Sequence, residues 1–356
     1  MWTCPVCKHQ TDTPFCPICG FDRSVDPERA PTLAPLKHPQ PSAAGLRRER
    51  EGLLICPDCG STAFSLELSG GQLRCRTCGR VHQWVPGRKT ITAIAAGDAH
   101  TAVLYSDGTV RAVGKNNHGQ CNTGAWKDIV AISAGYENTL GLRADGTVVA
   151  VGNNYRGKSM VHTLGGIRAI SSSQSSHTLG LRADGTAVSI GDNDDDQRNV
   201  DGWRSLVAVS AGAAYSLGLK RDGTVVAVGR NDDGRCNTQS WQNIRAICAG
   251  SWHALGLKRD GTAVATGYNA SEQCNVSGWW DLIQVCGGKY YSAGLRRDGT
   301  VCIASNNTVY QWAEGWTDIV ALAGGDQHLV GLRADGALVA AGVNDDGQCN
   351  VDALWM

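Results

Sequence analysis

An Asp-Gly-Thr tripeptide returns along this chain at Asp107, Asp145, Asp184, Asp222, Asp260 and Asp298, and a worn copy, Asp335-Gly336-Ala337, ends the series. Consecutive spacings are 38, 39, 38, 38, 38 and 37 residues. Ahead of each turn stands a run rich in small and β-branched residues: ITAIAAG from Ile91, IVAISAG from Ile129, IRAISSS from Ile167 and LVAVSAG from Leu206. IRAICAG from Ile244, LIQVCGG from Leu282 and IVALAGG from Ile319 complete the set. Seven runs and seven turns make seven units. A fixed period of this size means a chain built by stacking one supersecondary unit, which excludes most other folds at once.

Within one unit, Ile129 to Ala134 reads as a strand whose small side chains suit a position crowded against a central axis. Thr139 to Arg143 reads as a second strand, and Ala144-Asp145-Gly146 as a turn whose glycine meets a positive-φ requirement. Thr147 to Val151 is an apolar run, expected to be a third strand covered on both faces by neighbouring units. A short fourth strand is expected in the Gln-Cys-Asn-Val segment, since a unit of ~38 residues only just holds four strands of about 5–6. One such sheet cannot bury itself. Stacking in a ring leaves only short, protected edges, so the expected fold is all-β, a seven-bladed β-propeller over residues 86–356. The prolines agree: all ten stand at or before Pro86, and proline removes a ladder donor from a hydrogen-bonded sheet.

Trp126 to Gly135, Trp241 to Asp260 and Gly342 to Gln348 carry the motif W-x-D-I-V-A-I-S-A-G-x-x-H-T-L-x-L-x-x-D-G-T-V-x-A-V-G-x-N-x-x-G-Q in whole or part. On these residues the chain, over about 88–356, resembles the regulator of chromosome condensation (RCC) propeller family, in a spacing similar to the compact bacterial forms. The resemblance implies a propeller, and by analogy either guanine-nucleotide exchange on a small GTPase or inhibition of an enzyme. Exchange in the eukaryotic regulator uses a wedge inserted between strands, and units of 37–39 residues leave no room for one. Trp126, Trp203, Trp241, Trp280 and Trp316 stand just ahead of the Ile or Leu that opens a unit. The first unit has Arg88 there instead, so Trp355 is expected to fill the vacancy and close the ring from the C-terminus.

Ahead of the repeats, Cys4, Cys7, Cys16 and Cys19 form C-x2-C-x8-C-x2-C, and Cys56, Cys59, Cys75 and Cys78 form C-x2-C-x15-C-x2-C. Two C-x-x-C turns set opposite each other make a closed tetrahedral thiolate cage, the chemistry of structural Zn2+ with no open catalytic position. Between the second two pairs, AFSLEL and QLRC flank Ser69-Gly70-Gly71 and read as a hairpin. The pattern resembles the zinc-ribbon family. The expected organisation is a short Cys4 ribbon over 1–23, a proline-rich linker over 24–52, a second ribbon over 53–85 and the propeller beyond. Residues 1–89 carry twelve basic and eight acidic residues, a surplus that two zinc-thiolate cages would cancel. Arg74, Arg76, Arg80 and Arg88 are nonetheless candidate phosphate contacts for a nucleic acid.

Enzyme signatures are missing: there is no G-x-S-x-G, no P-loop and no H-E-x-x-H. The expectation is therefore a non-catalytic protein. One polar residue per unit, His100, Asn138, His177, Tyr215, His253, Tyr291 or His328, reads as a structural hydrogen-bonding position and not as a metal ring. Cys121, Cys236, Cys274 and Cys349 recur in separate units and read as small buried hydrophobes. The variable positions fall in the first turn and the loop after the third strand, which share one face of an up-and-down blade. They make Asp98, Tyr136, Glu137, Tyr155, Arg156, Trp252, Lys289, Tyr290 and Asp326 the expected partner-binding face, since aromatics beside charge are hot-spot chemistry. With no apolar leader behind Met1 and no long apolar run, a monomeric cytoplasmic adaptor that binds a protein partner is expected, free of any membrane.

Overall fold

The computed structural model describes residues 89–354 except Gln174, and ahead of them the backbone of short strands between Trp2 and Gln83. Two compact units divide the chain, Met1–Ser42 and Ala43–Met356. In the first, Trp2–Thr3 pairs antiparallel with Gln10–Thr11. In the second, Arg47–Arg48 pairs with Leu54–Ile55, and Phe64–Glu67, Gln72–Cys75 and Val81–Gln83 form an antiparallel sheet. Glu67 faces Gln72, so the first two of these strands make the hairpin read from the sequence. Cys4, Cys7, Cys16, Cys19, Cys56, Cys59 and Cys78 lie outside the described residues, and Cys75 is described as backbone only.

Seven three-stranded antiparallel sheets follow, one per sequence unit. In blade 2 the order is Ile129–Ala134, Asn138–Arg143, Val148–Gly152. The other blades open with Ile91–Ala96 (blade 1), Ile167–Ser172 (3), Leu206–Gly212 (4), Ile244–Ala249 (5), Leu282–Gly287 (6) and Ile319–Gly324 (7). First strands of successive blades touch, and that of blade 7 touches that of blade 1, so they line the axis of a closed ring. Small residues allow it. A Cβ on Gly97 would come within 2.5 Å of the Gly135 carbonyl of the next blade.

Among the described residues no blade has the fourth strand, and the reason is local. In blade 1 the Asn116 side chain accepts the Cys121 N–H at 2.8 Å and donates to Asn122 at 3.1 Å, curling the expected strand into a turn. Asn231, Asn269 and Asn344 repeat the first bond with Cys236, Cys274 and Cys349. The third strand is thus the outer edge of its blade. Contrary to expectation it is mostly half-buried beyond its first residue, as in blade 2 though not in blade 6, while the middle strand is buried along nearly its whole length. The carbonyls left at this edge are met by side chains: Thr123 Oγ1 donates to Val110 and Thr238 Oγ1 to Val225. Cys121, Cys236, Cys274 and Cys349 share this work, each thiol lying 3.3–3.5 Å from the carbonyl six residues earlier. They are donors as well as packing groups, and burial pushes each thiol up to about 11.

The Asp-Gly-Thr turns join blades. Asp145 Oδ1 accepts both the N–H and the hydroxyl of Thr147, at 2.9 and 2.7 Å, and Gly146 takes φ 83°. The Gly146 carbonyl then accepts the Ile167 N–H that opens blade 3, and the same bond recurs at Gly108, Gly185, Gly223, Gly261 and Gly299. Trp126, Trp203, Trp241 and Trp316 are buried under this junction, but in blade 5 the buried ring is Trp279. Trp280, the residue assigned from the sequence, is 60% exposed, because Trp279 and not Trp280 stands three residues before Leu282. Blade 2 uses Leu164 at this position. Trp355 lies outside the described residues. The residue in step with the tryptophans is Leu354, five after Cys349 as Trp126 is five after Cys121. Leu354 packs with Ile91, Val103 and Tyr105 of blade 1, and its carbonyl accepts the Tyr105 hydroxyl at 2.6 Å.

Candidate functional site: the axial loop face

The third strand of each blade ends against its own first turn: Lys115 N–H donates to Ala99, Asn153 to Glu137, Arg230 to Ala214 and Tyr268 to Trp252. First turns and outer loops therefore share one face. Around the axis the first turns are linked blade to blade by backbone bonds, Asp98 to Gly135, Tyr136 to Ser173, Ser251 to Gly288 and Lys289 to Asp326. The Asp326 N–H donates to Gly97 at 3.0 Å and joins blade 7 to blade 1. This rim and the outer loops beside it carry the predicted residues.

It gathers them into three groups. At blades 5 and 6 the Trp252 ring meets Tyr268 and Tyr290 edge-on, with centroids 5.6 and 5.7 Å apart, and Lys289 Nζ lies 4.9 Å from the Trp252 centroid and 5.2 Å from that of Tyr290. At the axis, Ser251 Oγ donates to Asp326, and Asp98 stands close enough to raise the Asp326 carboxyl. Burial pushes Asp326 up to about 6 against the opposing Ser251 bond. Burial also raises Asp98, against the pull of Lys115 and with help from Glu137. At blades 1 and 2, Glu137 accepts from Lys115 at 2.8 Å and Asn153 at 3.0 Å, with His118 Nε2 at 3.1 Å. Burial works to raise Glu137, but these bonds hold its carboxyl below the usual range.

Exposure separates the residues further. Tyr136 and Tyr155 are 40% and 58% exposed, Trp252 and Tyr290 are half-buried, and Glu137 and Asp326 are buried. Arg156 is spent on Asp192 and Asp194 and lies over the Tyr155 ring. Tyr136 stands apart from the Trp252 cluster, beneath Lys158. Sequence reasoning missed Tyr268, Lys115 and Lys158. The signal for Lys158 was visible: it occupies the place that Gln120, Gln197, Gln273 and Gln348 hold in other units.

The four histidines of the repeat position do not form a site. Each is buried and bonds through Nε2 to a hydroxyl of the next blade: His100 to Thr139, His177 to Ser216, His253 to Ser292, His328 to Thr101. Among the described residues no group of three or more His, Cys, Asp or Glu could hold a metal, the Asp194-Asp195-Asp196 run included. Among the same residues no helix is long and apolar enough to cross a membrane.

A closed ring of seven three-stranded sheets, with its variable side chains gathered on one axial face, defines a β-propeller. Residues 91–120, 129–158, 206–235 and 244–273 match the family model of the Regulator of chromosome condensation (RCC1) repeat, so four of the seven units are repeats of the RCC type. Solved structures agree on the fold. The ectodomain of the Physcomitrella patens receptor kinase CR4 is 19% identical over 72% of this chain and 74% of its own, with a TM-score of 0.60. Prp20p from Saccharomyces cerevisiae is 16% identical over 74% and 85%, with a TM-score of 0.54. The CRINKLY WD40 ectodomain of the Arabidopsis thaliana receptor kinase ACR4 is 18% identical over 73% and 98%, with a TM-score of 0.57. No curated protein sequence matches the chain.

Proposed function

We propose that this protein is a non-catalytic adaptor that grips a protein partner with the axial loop face of its propeller. The observation that carries this reading is the Trp252–Tyr268–Tyr290 cluster topped by Lys289. Large rings already packed edge-on against one another lose little entropy when a partner covers them, which is the chemistry of an interface hot spot. Prp20p, one of the structural neighbours, is described with binding to Gsp1p and histones, both proteins. In the same reading the two Cys4 sets hold structural Zn2+ and serve as a second interaction module in the cytoplasm.

The test is retention of proteins from a cell lysate by the full chain, with and without nuclease, beside a Trp252→Ala/Tyr268→Ala/Tyr290→Ala variant of matched stability. The expected result is a protein retained regardless of nuclease and lost from the variant. Partners held equally by the variant, or lost on nuclease treatment, would move binding to the cysteine-rich segment and its arginines.

A further inference from the structure

Two local departures from the repeat meet at the seam of blades 2 and 3. In blades 1, 3, 5 and 7 a buried glutamine accepts the backbone N–H two residues earlier: Gln120 from His118, Gln197 from Asp195, Gln273 from Ser271 and Gln348 from Asp346, at 2.9–3.0 Å. Blade 2 has Lys158 there, 1% exposed. An ammonium cannot accept a hydrogen bond, so the loop takes another path and Arg156 enters the left-handed region at φ 56°. Lys158 Nζ instead crosses the seam, donating to the carbonyls of Tyr136 and Ser175 and lying 5.2 Å from the Tyr136 centroid.

The second departure is in blade 3. From the end of the first strand to the histidine, the chain takes one residue more than in other blades, Ser173 to His177 against Gly135 to Asn138. The longer turn brings the Ser175 and Ser176 hydroxyls 3.3 Å apart beside Lys158. Between these parts lies a cavity of about 310 Å³ lined by Tyr136, Asn153, Tyr155, Lys158, Ser175 and Ser176.

Its charge is unbalanced. Three other cations on this face have carboxylates: Lys115 has Glu137, Arg156 has Asp192, Arg235 has Asp233. Lys158 has only carbonyl dipoles among the described residues, and a buried cation without a counter-ion is costly. Burial accordingly pushes its amine down to about 8, with Glu137 and Asp98 opposing. A ligand that supplied the missing charge would relieve that cost.

We propose that this cavity binds a small aromatic carboxylate, its carboxylate on Lys158 Nζ and the Ser175 and Ser176 hydroxyls, its ring between Tyr136 and Tyr155. The cavity is at the low end of the volumes that hold small ligands, with two aromatic walls and few, convergent polar groups. This site does not depend on the partner-binding reading, since it uses a different part of the rim.

Calorimetric titration of benzoate into the full chain at pH 8 tests it, run in two buffers of different ionisation enthalpy. The expected result is saturable one-to-one binding with proton uptake, because the bound carboxylate favours the charged lysine. Lys158→Gln restores the residue of four other blades and should fold, while weakening benzoate about tenfold or more. Tyr155→Ala should weaken it several-fold, and inorganic phosphate, lacking a ring, should bind less well than benzoate. No saturable heat up to ~10 mM benzoate would overturn the proposal, as would equal affinity in Lys158→Gln or phosphate binding as tightly as benzoate.

Discussion

His328 Nε2 in blade 7 lies 2.9 Å from Thr101 Oγ1 in blade 1, joining residues 227 positions apart by the bond that links neighbours elsewhere in the ring. Thr101 Oγ1 itself donates to the Gln348 carbonyl at 2.8 Å, so it accepts from Nε2–H and the imidazole is the neutral Nε2 tautomer. Nδ1 of all four seam histidines has no partner. Where the next blade lacks the hydroxyl, the histidine is replaced. Tyr215 faces a blade with Ala254 and Tyr291 one with Leu329, and each tyrosine donates to backbone carbonyls of that blade instead, Gly250 and Gly325 among them.

The pairing predicts a recoverable double substitution. Ser292→Ala alone should leave His253 Nε2 buried without an acceptor and cost about 1–3 kcal/mol. Adding His253→Tyr recreates the Tyr215–Ala254 pair and should return most of that stability. Urea denaturation of both singles and the double checks it, and strictly additive losses would refute the pairing.

Acid should weaken the fold through the same residues. Burial pushes His100 and His253 down to about 4 and His177 and His328 to about 3, from an ordinary value of 6.5. Between these values the unfolded chain binds protons that the folded one refuses. Stability is therefore full above pH 6.5 and falls as pH drops toward 4, by at most roughly 1.4 kcal/mol per histidine per pH unit. Asp326, raised to about 6 from 3.8, and Asp98, also raised by burial, work with the opposite sign, gaining stability as pH falls, but they are two groups against four. Denaturation midpoints between pH 8 and 4.5 should show the fall; a flat profile would mean that the histidines are not buried neutral.

Trp279 and Trp280 are adjacent and should behave as opposites. Trp279→Ala empties a seat under the blade 5 junction and should cost about 3–5 kcal/mol. Trp280→Ala should stay within about 0.5 kcal/mol of the parent, as exposed positions do. Thermal melts of the two variants give the answer.

Leu354 is the latch. It is 1% exposed and fills on blade 1 the place that a tryptophan fills on most others. Leu354→Ala should cost about 2–5 kcal/mol, and deleting Val351 to Met356 should open the ring, lowering the melting temperature and exposing blade 1 to protease. An unchanged melting temperature would show that closure rests on the rim bonds alone.

The cysteine-rich segment has its own test. Purified full chain should carry about two Zn2+ by elemental analysis, and Cys56→Ser should remove about one. Zinc content near zero in metal-replete preparations would count against both cages.

The number of units, the three strands of each and the turn between the second and third could all be read from the residues. Those features are local: the Asp145 carboxylate captures Thr147 two residues on, and Gly146 supplies the positive φ within the same turn. The period did the rest, since one sheet cannot bury its own face. The missing fourth strand was less legible, because a ladder and an asparagine-bonded turn compete for the same N–H groups, and Asn116 wins at close range. Tertiary structure decided what depends on the neighbouring blade. It chose Leu354 as the latch, paired His100 with a hydroxyl 39 residues away, and buried Glu137 against Lys115. It also brought Lys158 of blade 2 to the lengthened turn of blade 3. Each of these is a contact across a seam, and a strand's own residues do not say what stands on the other side.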